Sequence, residues 1–176
     1  MSEHPRERIE YPGHTSDMSE KPHDEMNGYV GRGLLDGKRA LITGSYFHVS
    51  KAAVPHLRGG RAIINTASIN GLRGNKSLIV YSATKGAVIA VTYSLSQLRE
   101  RSIRVNCVVP GPVWTPLIPA TLDKDKVESF GQQTPYGRAA QPDEIAPSYM
   151  FFASETMWSY YSGEVLSPIG GETLPG

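Results

Sequence analysis

RAIINTASINGLRGNKSLIVYSATKGAVIAVTYSLSQLRERSIRVNCVVPGP, residues 61–112, decides the fold. Its two ends, Arg61–Thr66 and Ile103–Val109, are short runs rich in apolar, β-branched side chains, without strict alternation. Runs of that kind suit strands covered on both faces. Between them lie a polar loop through Asn75 and the longest helical stretch in the chain, Leu78 to about Arg101. Alanines at 83, 87 and 90 give that helix a smooth face for close packing. Pro110-Gly111-Pro112 stops the second run. The grammar is strand, helix, parallel strand.

The same grammar extends in both directions. Upstream, Lys38 to Thr43 is a short apolar run ending at Gly44. Ser45 is a candidate cap for a helix over Tyr46–Leu57, with Pro55 near its end and Gly59-Gly60 closing it. Downstream, a loop or short helices lead to Gln141. Pro142–Ser154 is helical in tendency, flawed by Pro147, and Gly163–Ser167 is a last strand stopped by Pro168. Apolar strands alternating with helices predict an α/β fold: a three-layer unit on a mainly parallel sheet of about four strands. Arg39–Thr43 is expected to pair with Arg61–Thr66 through the Tyr46–Leu57 helix, because burying both runs requires adjacency.

Residues 1–37 read differently. Eight acids face four bases, three prolines and five glycines interrupt the segment, and no hydrophobic period runs through it. It is expected to be an extended arm without a three-turn helix, ordered only against a body or a partner. Residues 38–176 carry the opposite balance, 14 bases against nine acids.

The whole chain has 176 residues and a formal charge of +1, enough for one core and without the charge of a nucleic-acid or membrane surface. A single cysteine, Cys107, excludes an internal disulfide, a thiolate cluster and a CxxC redox pair; it is expected in the core. No stretch approaches the ~20 apolar residues of a membrane span. MSEHPRERIE has no apolar run, so a reducing, cytoplasmic location without a secretory signal is the expectation.

Several side chains could carry chemistry. Tyr81 and Lys85 stand four apart on one helix, hence on one face. An ammonium beside a phenol favours the phenolate and suits acid–base work. Ser68 follows the strand ending at Thr66, at the sheet edge where open α/β folds hold ligands. Pro110-Gly111 lies at the same edge, and Trp114 and Thr115 offer a flat apolar surface and a hydroxyl beyond it. Taken singly, each also fits an ordinary role: a solvated helix pair, a turn cap, a plain turn. His48 and His56 lack an HExxH arrangement, no metal site is expected, and no GxSxG marks a hydrolase.

Taken together, Ser68, Tyr81-Ser82-Ala83-Thr84-Lys85, Arg104-Val105-Asn106 and Pro110-Gly111-Pro112-Val113-Trp114-Thr115 resemble the second half of the short-chain dehydrogenase/reductase family. The leader with Tyr29-Val30-Gly31-Arg32-Gly33 resembles its N-terminally extended, general-stress-type subgroup. The resemblance implies a Rossmann-like fold and NAD(P)-dependent oxidoreduction of a small carbonyl or alcohol substrate. It implies that Ser68 binds the substrate oxygen, Tyr81 transfers the proton, and Lys85 assists it and grips the nicotinamide ribose. Tyr81, Lys85, Pro110, Gly111, Val113 and Thr115 would face the cofactor, NAD or NADP. It also implies a possible homo-oligomer through the 46–57 and 78–101 helices.

The resemblance breaks at one seam. Gly44 runs directly into Ser45, where the family has a glycine-rich turn, a helix and further strands, so about a hundred residues of a dinucleotide fold are missing. The family's catalytic asparagine would stand three places before Ser45, where this chain has Ile42. No glycines follow Gly44 at the offsets a pyrophosphate needs. The organisation expected is therefore an arm, 1–37, and a partial family domain, 38–176. An impaired oxidoreductase, a non-catalytic truncated splice or gene-model product, and a dimerising or small-molecule-binding module all remain open.

Overall fold

The computed structural model describes residues 4–5, 7–25, 40–43 and 46–173. Chain contacts divide it into two compact units. One comprises Val30–Pro110 and Pro147–Pro168; the other comprises Met1–Tyr29, Gly111–Ala146 and Ile169–Thr173.

The first unit is built on a four-stranded sheet in the order β1 (Ala40–Thr43), β2 (Arg61–Thr66), β3 (Ile103–Val108), β4 (Val165–Leu166), with every pairing parallel. β1 lies beside β2 in the register Ala40 to Ala62, joined through α1 (Tyr46–Ala53) and a 3-10 turn at Val54–His56 that Pro55 shapes. This is the strand–helix–strand pairing expected from the sequence. Gly44 and Ser45 lie outside the described residues.

α2 (Ile69–Arg73) occupies the segment expected as a loop. The Ser68 side chain accepts from Asn70 N and caps it, which offsets one orphan N–H of a helix too short to persist alone. The long helix is shorter than its pattern: α3 spans Ile79–Leu95, and Ser96–Arg101 tightens into 3-10 geometry. Ser102 closes that join at φ 58°, a left-handed turn ordinarily left to glycine.

Two apolar clusters line the one face that the odd-numbered residues of β2 and β3 share. Ile63, Ile103 and Val105 pack with Val54, Leu57, Leu95 and Leu98, while Ala67, Val88, Ile89, Cys107 and Val109 pack with Tyr46, Leu72 and Val165. Two polar residues of β3 are buried and satisfied. Arg104 donates to the carbonyls of Phe152 and Ala153 at the end of the helix Pro142–Ala153, where a cation opposes the carbonyl dipoles. Asn106 donates to the Tyr161 carbonyl and accepts from Glu164 N, tying down the approach to β4.

In the second unit the described part of the arm contains one 3-10 turn, Thr15–Asp17, a turn at Tyr11–Pro12 and a bend at Ser19–Glu20, and no α-helix. It folds with the segment that includes α4 (Leu117–Thr121) and α5 (Lys124–Glu128). Trp114 is fully buried, stacked on the ring of His4 at 3.8 Å, and donates to the Glu20 carbonyl. His4 Nδ1 and Glu20 Oε2 are 3.1 Å apart. Met18, Val127 and Ala139 complete this core with Ile9, Ile118, Leu122 and Phe130. Gly131 is required here: at φ +86° a Cβ would stand 2.1 Å from Ala139 N. α6 (Pro142–Ala153) and α7 (Glu155–Trp158) precede β4 in the chain.

Candidate active site

Parallel β2 and β3 end side by side, and their C-terminal edge gathers the candidate residues of the first unit. Ala67 N donates to the Val108 carbonyl and Ile69 N to the Pro110 carbonyl, so Ser68 is held between two bonds to the strand beside it. Ser68 is 9% exposed, and its hydroxyl accepts from Asn70 N at 3.3 Å. A hydroxyl that accepts still has its proton to donate.

Tyr81 sits in the first turn of α3 and is 43% exposed, so its ring is open to a ligand from solvent. Lys85, one turn on, is half-buried, with Nζ 5.7 Å from the centre of the Tyr81 ring and 5.6 Å from that of Tyr46. The ammonium donates to the Thr66 carbonyl at 3.1 Å and to the Tyr46 hydroxyl at 3.4 Å. Tyr46 in turn donates to the same carbonyl. Burial pushes the Lys85 amine below its ordinary range, against an opposing contribution from Cys107. Burial also raises the Tyr46 phenol to about 12, and Cys107, Tyr149 and Tyr81 add to the rise. Tyr149 bonds to the Thr66 hydroxyl at 2.9 Å, and its own phenol is raised by burial.

Close approach of α2 to α3 sets the position of Lys85. A Cβ on Gly71 would meet the Lys85 carbonyl carbon at 2.7 Å and Gly86 N at 2.9 Å, so only glycine lets the two backbones meet here. Tyr46, Tyr149 and Gly71 were not legible as site residues from the sequence. No motif marks them; the one available signal was that Tyr46 opens the helix following a strand at the same sheet edge.

Pro110 belongs to the first unit and stands beside Ser68 through the Ile69 bond. Gly111, Val113 and Thr115 belong to the second unit. There Gly111 runs close to Ile169, Val113 forms an isolated parallel bridge to Ala140, and Thr115 starts the turn into α4 through the bond from Ile118 N. Trp114, expected as an open apolar surface, is instead enclosed by the arm, because stacking and its indole N–H bond reward burial. Cys107 is fully buried in β3. Among the described residues no group of histidine, cysteine or acidic side chains is arranged to hold a metal, and no helix is long and apolar enough to cross a membrane. A cleft of about 510 Å³ lined by Ala53, His56, Leu57, Arg58 and Arg61 lies at the start of β2, the opposite end of the strand from Tyr81 and Lys85.

A nicotinamide dinucleotide fits these residues in part. The hydroxyls and the ammonium at the β2 edge suit a carbonyl and a ribose. Among the described residues the adenosine half has no counterpart, and only two residues separate β1 from α1 where a glycine-rich turn would hold a pyrophosphate.

Comparisons with known proteins bear on the family. The family model described as Enoyl-(Acyl carrier protein) reductase matches residues 40–173. The chain is 52% identical over 131 residues to NADPH-dependent aldehyde reductase 1, chloroplastic, of Arabidopsis thaliana, covering 74% of this chain and 46% of that protein. It is 50% identical over 128 residues to General stress protein 39 of Bacillus subtilis, covering 72% and 44%. The crystal structure of a short-chain dehydrogenase/reductase, a glucose/ribitol dehydrogenase from Brucella melitensis, superimposes with a TM-score of 0.61 at 31% identity, covering 73% of this chain and 50% of that one. The chain thus spans about half the length of the relatives it matches.

Proposed function

The chain belongs to the short-chain dehydrogenase/reductase family, and on that premise we propose that it carries the proton-transfer half of an NAD(P)-dependent oxidoreductase of small carbonyl or alcohol compounds. The observation that carries this reading is the placement of Lys85 one turn from Tyr81, its ammonium 5.7 Å from the centre of the tyrosine ring and bonded to the Thr66 carbonyl, two residues before Ser68. In this reading Ser68 donates to the substrate oxygen and Tyr81 gives or takes the proton there. Lys85 supplies positive charge beside the phenol and a donor for the ribose. The family resemblance assigns Pro110, Gly111, Val113 and Thr115 to the cofactor's nicotinamide side. A bound nicotinamide supplies or removes the hydride.

The same reading holds that this chain is strongly impaired. An internal deletion of about a hundred residues after Gly44 removes the turn and helix that bind a pyrophosphate, and Ile42 stands where the family has its catalytic asparagine. The chain then consists of an N-terminal extension, 1–37, and a partial family domain, 38–176, in a reducing cytoplasm.

Titrating the 176-residue protein with NADH and NADPH, and assaying it on a panel of aldehydes and ketones, tests both halves. No saturable binding at submillimolar concentration is expected, and no rate above that of Tyr81→Phe. Tight binding or Tyr81-dependent turnover would mean that another segment rebuilds the missing half-site.

A second reading, self-association, is favoured by the outer face of α3. Ile79 and Val80 are 72% and 77% exposed, with Ala83, Ala87 and Ala90 exposed behind them, and Phe47 on α1 is 59% exposed. Apolar surface of this kind, continuous along a helix, suits a second copy of the chain. Sedimentation across a concentration series is expected to show association that Val80→Asp weakens; a monomer at every concentration removes this reading.

A further inference from the structure

We propose that Tyr46 is a positioning residue for Lys85, a hydroxyl that holds the ammonium in place beneath Tyr81. The proposal rests on the reading of Tyr81 and Lys85 as the proton-transfer pair, and gives that pair a third member. No motif assigns Tyr46 a role.

The geometry is a closed triangle. Tyr46 donates its only proton to the Thr66 carbonyl, which leaves its oxygen lone pairs as acceptors. Lys85 donates to that oxygen at 3.4 Å and to the same carbonyl at 3.1 Å. Two of three ammonium N–H groups are thereby committed, one to the end of β2 and one to the start of α1, and one remains for a ligand. A flexible four-carbon stem has considerable rotamer freedom, so a lysine tethered at two points is held far more closely than its backbone alone would hold it. Ala67 N–H points to the Val108 carbonyl of β3, so the Thr66 carbonyl of the same peptide points to the β1 side, where the register ends at Thr43 with Asn65 and both its acceptor sites are left for Tyr46 and Lys85.

Its surroundings favour a stable arrangement. The Tyr46 ring packs against the core of Ala67, Val88, Ile89, Cys107 and Val109, so the hydroxyl is carried on an anchored ring. Tyr149 steadies Thr66 from the side-chain end through the 2.9 Å bond to its hydroxyl, without contacting the ammonium. The titratable groups that face Lys85 are Tyr46, Tyr81 and the buried Cys107. Burial keeps the Tyr46 phenol protonated up to about pH 12, so across the neutral range it remains the donor to Thr66 that the triangle requires.

A merely structural tyrosine would leave the amine of Lys85 unaffected, which makes that amine the readout. Competitive labelling with acetic anhydride across pH, read by mass spectrometry, reports the titration midpoint and reactivity of each lysine. Tyr46→Phe removes one acceptor from the charged form, so the Lys85 midpoint is expected to fall and its labelling at pH 8 to rise roughly fivefold. Exposed Lys124 serves as the internal control and is expected to stay constant. Tyr149→Phe is expected to leave Lys85 as it is. An unchanged Lys85 in a folded Tyr46→Phe protein, or an equal change in Tyr149→Phe, overturns the proposal, since the Thr66 carbonyl would then suffice. Should Tyr46→Phe lose its native near-ultraviolet spectrum, 3-fluorotyrosine incorporated into a Tyr81→Phe chain weakens the same acceptor without changing its shape. The same downward shift is expected there, and its absence overturns the proposal equally. The readout needs neither cofactor nor turnover, so the role of Tyr46 and the oxidoreductase reading can fail separately.

Discussion

Two regions of this chain reach full burial by opposite routes. In the sheet, β2 and β3 pair residue by residue from Arg61 with Ile103 to Thr66 with Val108, and the connection between them is the helical stretch that their sequence spells out. Around Trp114 there is no such ladder. His4, Met18 and Glu20 come from the far end of the chain to enclose one indole ring, by stacking, a carbonyl bond and apolar contact. The sheet draws on repeated backbone bonds between uniformly apolar strands, so a change at one side chain is shared among many contacts. The Trp114 cluster depends on a few side chains of high individual worth. Regular structure distributes its stabilisation, and irregular structure concentrates it.

Trp114→Ala is the most severe way to sharpen this comparison. Removing a fully buried indole is expected to cost about 3–5 kcal/mol, and hydrogen exchange should speed up over residues 7–25 and 113–140 while amides of β2 and β3 keep their protection. Equal loss of protection in both regions would break the comparison. Within the sheet unit, Gly71→Ala is expected to cost about 1–3 kcal/mol in urea unfolding, because its methyl meets Lys85 and Gly86 backbone. Gly86→Ala, whose methyl touches only the Gly71 carbonyl at 3.4 Å, should be neutral or mildly stabilising.

Smaller effects follow at the edges of each region. Arg138 pairs in two-pronged fashion with Glu144, both bonds at 2.6 Å, and Glu144 also accepts from Gln141 N. The Arg138 bonds hold the Glu144 carboxyl below its ordinary value of 4.5, with the Gln141 bond adding to them. Its contribution is therefore present above that value and is lost as pH falls through the lowered one. Both side chains are well exposed, so Glu144→Gln is expected to cost no more than about 1 kcal/mol at pH 7 and almost nothing in strong acid. Thermal unfolding at the two pH values measures the difference. Ser102→Gly should go the other way, stabilising by about 0.5 kcal/mol through relief of a left-handed backbone.

Legibility follows the same division. Arg61–Thr66 was readable to the residue, and Ile103–Val109 to within one, because an unbroken apolar run has few alternatives to a buried strand. The Tyr46–Leu57 helix gave way to 3-10 geometry at Val54, one residue before Pro55. Leu78–Arg101 gave way likewise at Ser96, since helix periodicity carries no signal for where the last turn tightens. The short helix after Ser68 was read as loop, its cap being visible only once Asn70 N is seen to meet the serine hydroxyl. At the site, the shared helix face of Tyr81 and Lys85 follows from spacing alone. The partnership of Lys85 with Tyr46 and Thr66 does not, because it joins three separate elements.

By itself the sequence determined the α/β class, the parallel order of the principal strands, and the helix that carries Tyr81 and Lys85. Each of these depends on local periodicity or on spacing within one element, where 3.6 residues per turn or an apolar run leaves little choice. Only the tertiary structure decided that Arg104 reaches the carbonyls of Phe152 and Ala153, that Trp114 lies beneath His4, and that the ammonium of Lys85 is held between a carbonyl and a phenol. Those outcomes join residues far apart in the chain through single polar or aromatic contacts. Such a contact leaves no periodic trace in a sequence, since its geometry exists only after the strands and helices have packed.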